Sequence, residues 1–161
     1  IRPPEEKRWA IADDRGNEQD RRARVGWQAM KITADTNVLV RAITEDHESQ
    51  SKAAQSALKR AELVAISVAA LCELVWVLSQ GYKVSSKDIA TTIRQLMDGE
   101  NVEVNRPAAE AGLTFLDAGG DFADGVIAYE GSWLGAETFV SFDKRAVKLM
   151  DAQGQSARLL P

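Results

Sequence analysis

Five acids stand where the local pattern predicts something other than a solvated surface charge. Asp35 closes the strand-like run Ile32-Thr33-Ala34 and is followed by Thr36 and Asn37, either of which can cap the next helix. Glu73 lies in Val68-Ala69-Ala70-Leu71-Cys72-Glu73-Leu74-Val75-Trp76-Val77-Leu78, a stretch apolar nearly all round and so expected to be buried. An ionised carboxylate in such a helix is costly unless it is paired or binds a metal. Asp121 and Asp124 follow Gly119-Gly120 at the start of a helical pattern. Three residues apart, they can share one face of a first turn, where the helix N-terminus favours negative charge. Asp143 ends Phe139-Val140-Ser141-Phe142, repeating the placement of Asp35 at a strand's carboxyl edge, with Ser141 placed to bond a neighbouring carboxylate. Oxygen-only ligands of this kind suit Mg2+ or Mn2+, which keep several of their waters.

Each acid also has an ordinary explanation. Asp35 is placed to be a plain N-cap, and Asp121 suits that role better than Asp124, which lies one turn inside its helix and is the better ligand. Glu73 would be unexceptional on a narrow solvent stripe or in a salt bridge. Cys72 and Trp76, beside it, read as packing residues; Trp133, Phe115 and Phe122 read as core. His47 starts a helix and reads as a capping or surface residue rather than a base.

The bulk numbers narrow the chemistry. One Cys and one His in 161 residues leave no room for a structural zinc site, a Cys/His nucleophile pair or an internal disulfide. Any catalysis runs on carboxylates. A lone Cys72 fits a reducing compartment, no run approaches the roughly 20 apolar residues of a membrane helix, and the start does not read as a secretory signal. The expectation is a cytoplasmic protein with no membrane partner. Net charge is −4, which argues against broad adhesion to nucleic acid but not against a nuclease, since a bound cation reverses the local sign.

The elements that must position these acids alternate. Strand patterns at Met30–Ala34, Leu63–Ser67, Val102–Val104 and Thr138–Ser141 are separated by helical ones at Val38–Ile43, Glu48–Ala61, Val68–Gln80, Ile89–Gly99, Pro107–Leu116, Asp121–Trp133 and Lys144–Asp151. Ala157–Leu160 is a candidate edge strand. Such alternation predicts an α/β fold with a parallel sheet between helices and a site beyond the strands' carboxyl ends.

Asp35-Thr36-Asn37, Glu73 in its helix, Asp121-Phe122-Ala123-Asp124 and Ser141-Phe142-Asp143, in this order and spacing, resemble the PIN-domain ribonucleases, and within them the VapC-type toxins of bacterial toxin–antitoxin modules. The resemblance runs over essentially all of 30–161. It implies a PIN-like three-layer α/β/α sandwich with a mostly parallel sheet of about five strands. It further implies an Mg2+- or Mn2+-dependent endoribonuclease, a homodimer and a cognate antitoxin. Carried over residue by residue, Asp35, Glu73, Asp124 and Asp143 form the catalytic acids, with Asp35, Asp124 and Asp143 on the metal. Asp121, Thr36, Asn37 and Ser141 are auxiliary. Gly125 departs from the family's usual Ala, which lowers helix propensity by about 1 kcal/mol and would loosen that turn.

Arg41, Lys83, Lys144 and Arg145 are candidates for RNA backbone contacts. Residues 1–29 differ in composition, with seven Lys/Arg, six Asp/Glu and no Leu before Met30, and read as an extension from the 30–161 domain. It is a disordered or expression-derived segment, or an antitoxin-like tail with Trp9 and Trp27 as anchors and Arg8, Arg21, Arg22 and Arg24 as partners for the acids. Two other classes fit less well. A haloacid-dehalogenase-type phosphatase wants an Asp where Asn37 stands, and a dinucleotide-binding domain needs a Gly-rich turn after a strand, which Gly119-Gly120 does not provide. A catalytically idle PIN-like scaffold acting by protein binding remains the rival.

Overall fold

The structure, a computed structural model, describes residues 30–161; residues 1–29, with Trp9, Trp27, Arg8, Arg21, Arg22 and Arg24, lie outside the described residues. Strand β1 (Lys31–Thr33) leads into helix α1 (Thr36–Thr44) and then α2 (Glu48–Arg60); β2 (Leu63–Ile66) leads into α3 (Val68–Trp76). Helix α4 (Ser86–Met97) precedes β3 (Val102–Val104), which is followed by α5 (Arg106–Asp117) and α6 (Phe122–Trp133). Strand β4 (Phe139–Ser141), α7 (Lys144–Ala152) and β5 (Ala157–Leu159) complete the chain.

All the pairings are parallel, as strands separated by helical crossovers require. In β1–β2–β3, Ile32 faces Val64 and Val64 faces Val102, so the sheet is centred on β2, whose Val64 and Ile66 are buried. The core is built on those strands by Leu39, Leu71, Leu74, Leu78, Ile89, Ile93 and Leu113, with Phe115 and Phe122 fully buried as the sequence suggests. The expected α/β/α sandwich of parallel strands is present with one difference. The five strands form a sheet of three and a separate pair, β4–β5, and among the described residues no strand bonds the outer edge of β1. Strands of three residues offer few ladder bonds, and β4 leaves Val140 exposed. The pair is held instead by α7, which buries Ala146, Val147 and Met150.

Two glycine positions set how α7 and α6 are seated. The last turn of α5 closes with Gly119 N–H on Leu116 O and Gly120 N–H on Phe115 O, with Gly119 left-handed at φ 83. A Cβ on Gly120 would stand 2.6 Å from Leu149 of α7, so the bare backbone there is the seat of that helix. Gly125 works the same way between α5 and α6: a Cβ would stand 2.4 Å from the carbonyl oxygen of Ala111. The departure from Ala is therefore a packing requirement, and the turn is tightened by it rather than loosened.

Gly125→Ala should destabilise the protein although it improves helix propensity. Overpacking against a backbone carbonyl outweighs the gain by about 1–2 kcal/mol. Urea unfolding reads this directly: a midpoint equal to or above the parent's would mean that α5 and α6 separate freely.

Candidate functional site

Six of the seven α-helices among the described residues begin with a side chain that caps them. His47 accepts from Gln50 N–H, Ser67 from Ala70 N–H, Ser85 from Asp88 N–H and Asn105 from Ala108 N–H. Asp121 accepts from Ala123 N–H at 2.8 Å, and Asp143 from Arg145 N–H at 2.7 Å and Ala146 N–H at 3.3 Å. Asp35 is the exception. It has the extended backbone of an N-cap (φ −75, ψ 153), but its carboxylate does not cap the helix; among the described residues its Oδ2 accepts only from Asn37 Nδ2, at 3.3 Å. The plain N-cap explanation therefore fails for Asp35, and Asn37 acts as its orienting neighbour.

Beside it, Thr36 is buried and its hydroxyl donates to Glu73 Oε2 at 2.7 Å. Thr33, Asp35, Thr36, Ser67, Ala69 and Glu73 line one pocket at the carboxyl ends of β1 and β2, where a parallel sheet is expected to carry its site. Glu73 itself is exposed. With Ala69, Trp76 and Gln80 it forms a solvent stripe along α3 and the turn that follows, so its helix is not buried all round. Trp76 (65%) and Trp133 (76%) are likewise exposed rather than packed, and Cys72 is half-buried.

A second group of acids gathers around the start of α6. Burial, and then the negative charges of Asp121 and Asp143, push the Asp124 carboxyl above its ordinary value. Burial also pushes the Cys72 thiol up to about 11, with Asp121 and Glu130 adding to the effect, which sets this group against the helix that bears Glu73. Ser141 supports Asp143 differently from expectation: its hydroxyl accepts the Asp143 backbone N–H at 3.0 Å, not a bond with a carboxylate. The four acids thus fall into two neighbouring groups, Asp35 with Glu73 and Asp124 with Asp143. Among the described residues no three His, Cys, Asp or Glu side chains are close enough to hold one ion. Two of the four are occupied, Glu73 by the Thr36 hydroxyl and Asp143 by backbone N–H groups, as is Asp121 beside them. The donor chemistry nevertheless fits a hard divalent cation: all-oxygen groups, an Asp35 carboxylate that caps no helix, and at Asp124 a negative field with no Lys or Arg paired to it among the described residues.

The basic candidates divide. Arg41 is taken up by Asp46, with both carboxylate oxygens 2.6 Å from its Nη1, and by Gln50. Lys83, in a left-handed turn, and Lys144 are exposed; Arg145 is exposed too, its guanidinium lying against Gly119. Sequence reading missed the carboxylate of Asp46 and the phenol of Tyr82, which meet at 2.5 Å across 36 residues. No local pattern signals such a contact.

The chain matches the PIN domain family over residues 32–151 and belongs to it. A comparison with curated proteins finds no match. PIN domains are typically nucleases that act on RNA or other nucleic acid, generally with divalent metal ions, so this chain has a nuclease fold. No helix among the described residues is long and apolar enough to cross a membrane.

The raised Asp124 value has a sign that can be tested. A carboxyl shifted upward disfavours the folded state once ionised. The penalty is absent below the unfolded value of about 4 and is fully present above the folded one. Asp124→Asn in chelator should therefore raise stability at pH 7, by less than about 1 kcal/mol because the group is partly solvated. Thermal melts of both proteins at pH 7 and pH 4 check it: the gain should shrink at pH 4, and an equal gain at both pH values would exclude this origin.

Proposed function

We propose that this chain is an Mg2+- or Mn2+-dependent endoribonuclease and the toxin component of a toxin–antitoxin pair. The observation that carries the reading is Asp35, a strand-end carboxylate in N-cap position that caps nothing and opens into the same pocket as Glu73. Asp35, Asp124 and Asp143 would hold the cation. When bound, it supplies positive charge that offsets the scissile phosphate and acidifies water. Thr36 orients Glu73 by its hydroxyl, and Glu73, solvent-facing and held on one oxygen, takes the proton of the attacking water. Asp121 adds negative charge at the start of α6, Asn37 steadies Asp35, and Ser141 fixes the backbone of Asp143. Lys144 and Arg145, exposed directly after Asp143, and Lys83 after α3 would meet the phosphate backbone.

The partners proposed are an RNA substrate, a cognate antitoxin and a second copy of the chain, in the cytoplasm. Trp133 and Leu134, both exposed and lining one pocket, favour a protein partner, since large apolar side chains rarely stand together in water without one. Residues 1–29 are proposed as an extension of the nuclease domain. The separation of the acids favours a second reading, a catalytically idle PIN-like scaffold that acts by binding protein.

Mn2+ titration and RNA cleavage assays separate the two readings. The nuclease should bind Mn2+ and cut RNA only with metal present, and Asp35→Asn or Asp124→Asn should lower cleavage at least about a hundredfold while the fold persists. Cleavage undiminished in either variant would remove the assignment. Absence of Mn2+ binding by the parent would leave the scaffold reading.

A further inference from the structure

Helices α1 and α3 start at the carboxyl ends of neighbouring strands and carry the two faces of the pocket, Asp35 and Thr36 on one and Glu73 on the other. They are tied at both ends. Near the site, Thr36 donates to Glu73. At the far end, α1 stops at Glu45, whose left-handed backbone (φ 55) turns the chain so that Asp46 follows it closely. Asp46 then accepts from Arg41 of α1 at 2.6 Å, from Thr44 at 3.0 Å and from the hydroxyl of Tyr82 at 2.5 Å.

Tyr82 is brought there by an irregularity. After Trp76, α3 widens into a π-helical turn, Val77–Gly81, in which Tyr82 N–H bonds Val77 O, five residues back. The extra residue in that turn rotates the next part of the chain by about 100° relative to a continuous α-helix. Tyr82 keeps its ring against the core while its hydroxyl reaches Asp46. A π turn is uncommon and carries a cost; here its product is the second tie between the two site helices.

We infer that Tyr82, through Asp46 and Arg41, is a positioning residue for Glu73, fixing the register of α3 against α1 on which the Thr36–Glu73 hydrogen bond depends. The inference rests on Glu73 belonging to the nuclease site, and its first readout does not need catalysis. In the full chain, Tyr82→Phe keeps the ring and removes only the hydroxyl. The carboxyl carbon resonance of Glu73 in this variant should move toward its position in Thr36→Val, where the same hydrogen bond is deleted outright. RNA cleavage should show kcat reduced about tenfold with KM unchanged, as misplacement of a proton-accepting group would give. A Glu73 signal that stays in place in Tyr82→Phe, with stability alone reduced, would overturn the inference and leave Tyr82 a purely structural residue. If the signal moves but the parent cleaves no RNA, the tie stands and the nuclease reading fails.

Discussion

The hydroxyl of Thr36 is the point on which the geometry of the pocket depends. It is buried at the first residue of α1, and its acceptor is a carboxylate 37 residues further on, at the exposed face of α3. A buried hydroxyl left without an acceptor costs more than a surface one, so the bond constrains α1 and α3 together. That constraint has a chemical consequence. It uses one oxygen of Glu73, while Asp35 meets only the longer contact from Asn37 among the described residues, so the two acids of the pocket are left unequal.

Charge distribution reflects the same scarcity of partners. Asp121 and Asp143 commit oxygens to backbone N–H groups at helix starts, where a negative side chain is stabilised by the helix dipole. Asp124 has no such bond among the described residues; partial burial, and then the charges of Asp121 and Asp143, push its carboxyl upward. A chain of net charge −4 with this cluster meets a phosphate only if positive charge is brought locally, and the exposed Lys144 and Arg145 begin the helix that Asp143 caps.

The alternation of strands and helices was legible in the sequence almost throughout: Val102–Val104 is the strand expected, Pro107 falls in the first turn of α5, and Asp121 caps α6 while Asp124 sits inside it. Local signals carry these features, because caps, proline and periodicity act within a turn or two. Exposure was less legible. Ala69 and Trp76 count as apolar in any periodicity, so the solvent stripe bearing Glu73 reads as core, and Trp133 misleads in the same way. The split of β4–β5 from the other strands and the Tyr82–Asp46 contact depend on pairing across distant segments, where no local pattern points. The failure of Asp35 to cap its helix is also invisible in sequence, since its backbone and residue type are those of an ordinary cap.

The position of Asp124 shows how a missing side chain can place a candidate site residue. Gly125 lets the backbone of α6 press on Ala111 and Gly112 of α5, and Gly112 in turn has the ring of Phe122 lying where a Cβ would be. Backbone resting on backbone is stiffer than side chain on side chain, because no rotamer can yield. Asp124, next to Gly125 and two residues from Phe122, is therefore fixed by the close contact between the two helices. Its carboxylate is held in an unfavourable negative field by packing energy supplied elsewhere in α5 and α6. The same contact accounts for the residue type at 125: any gain in helix propensity from a methyl group there would come at the expense of the crossing that sets the acid in place.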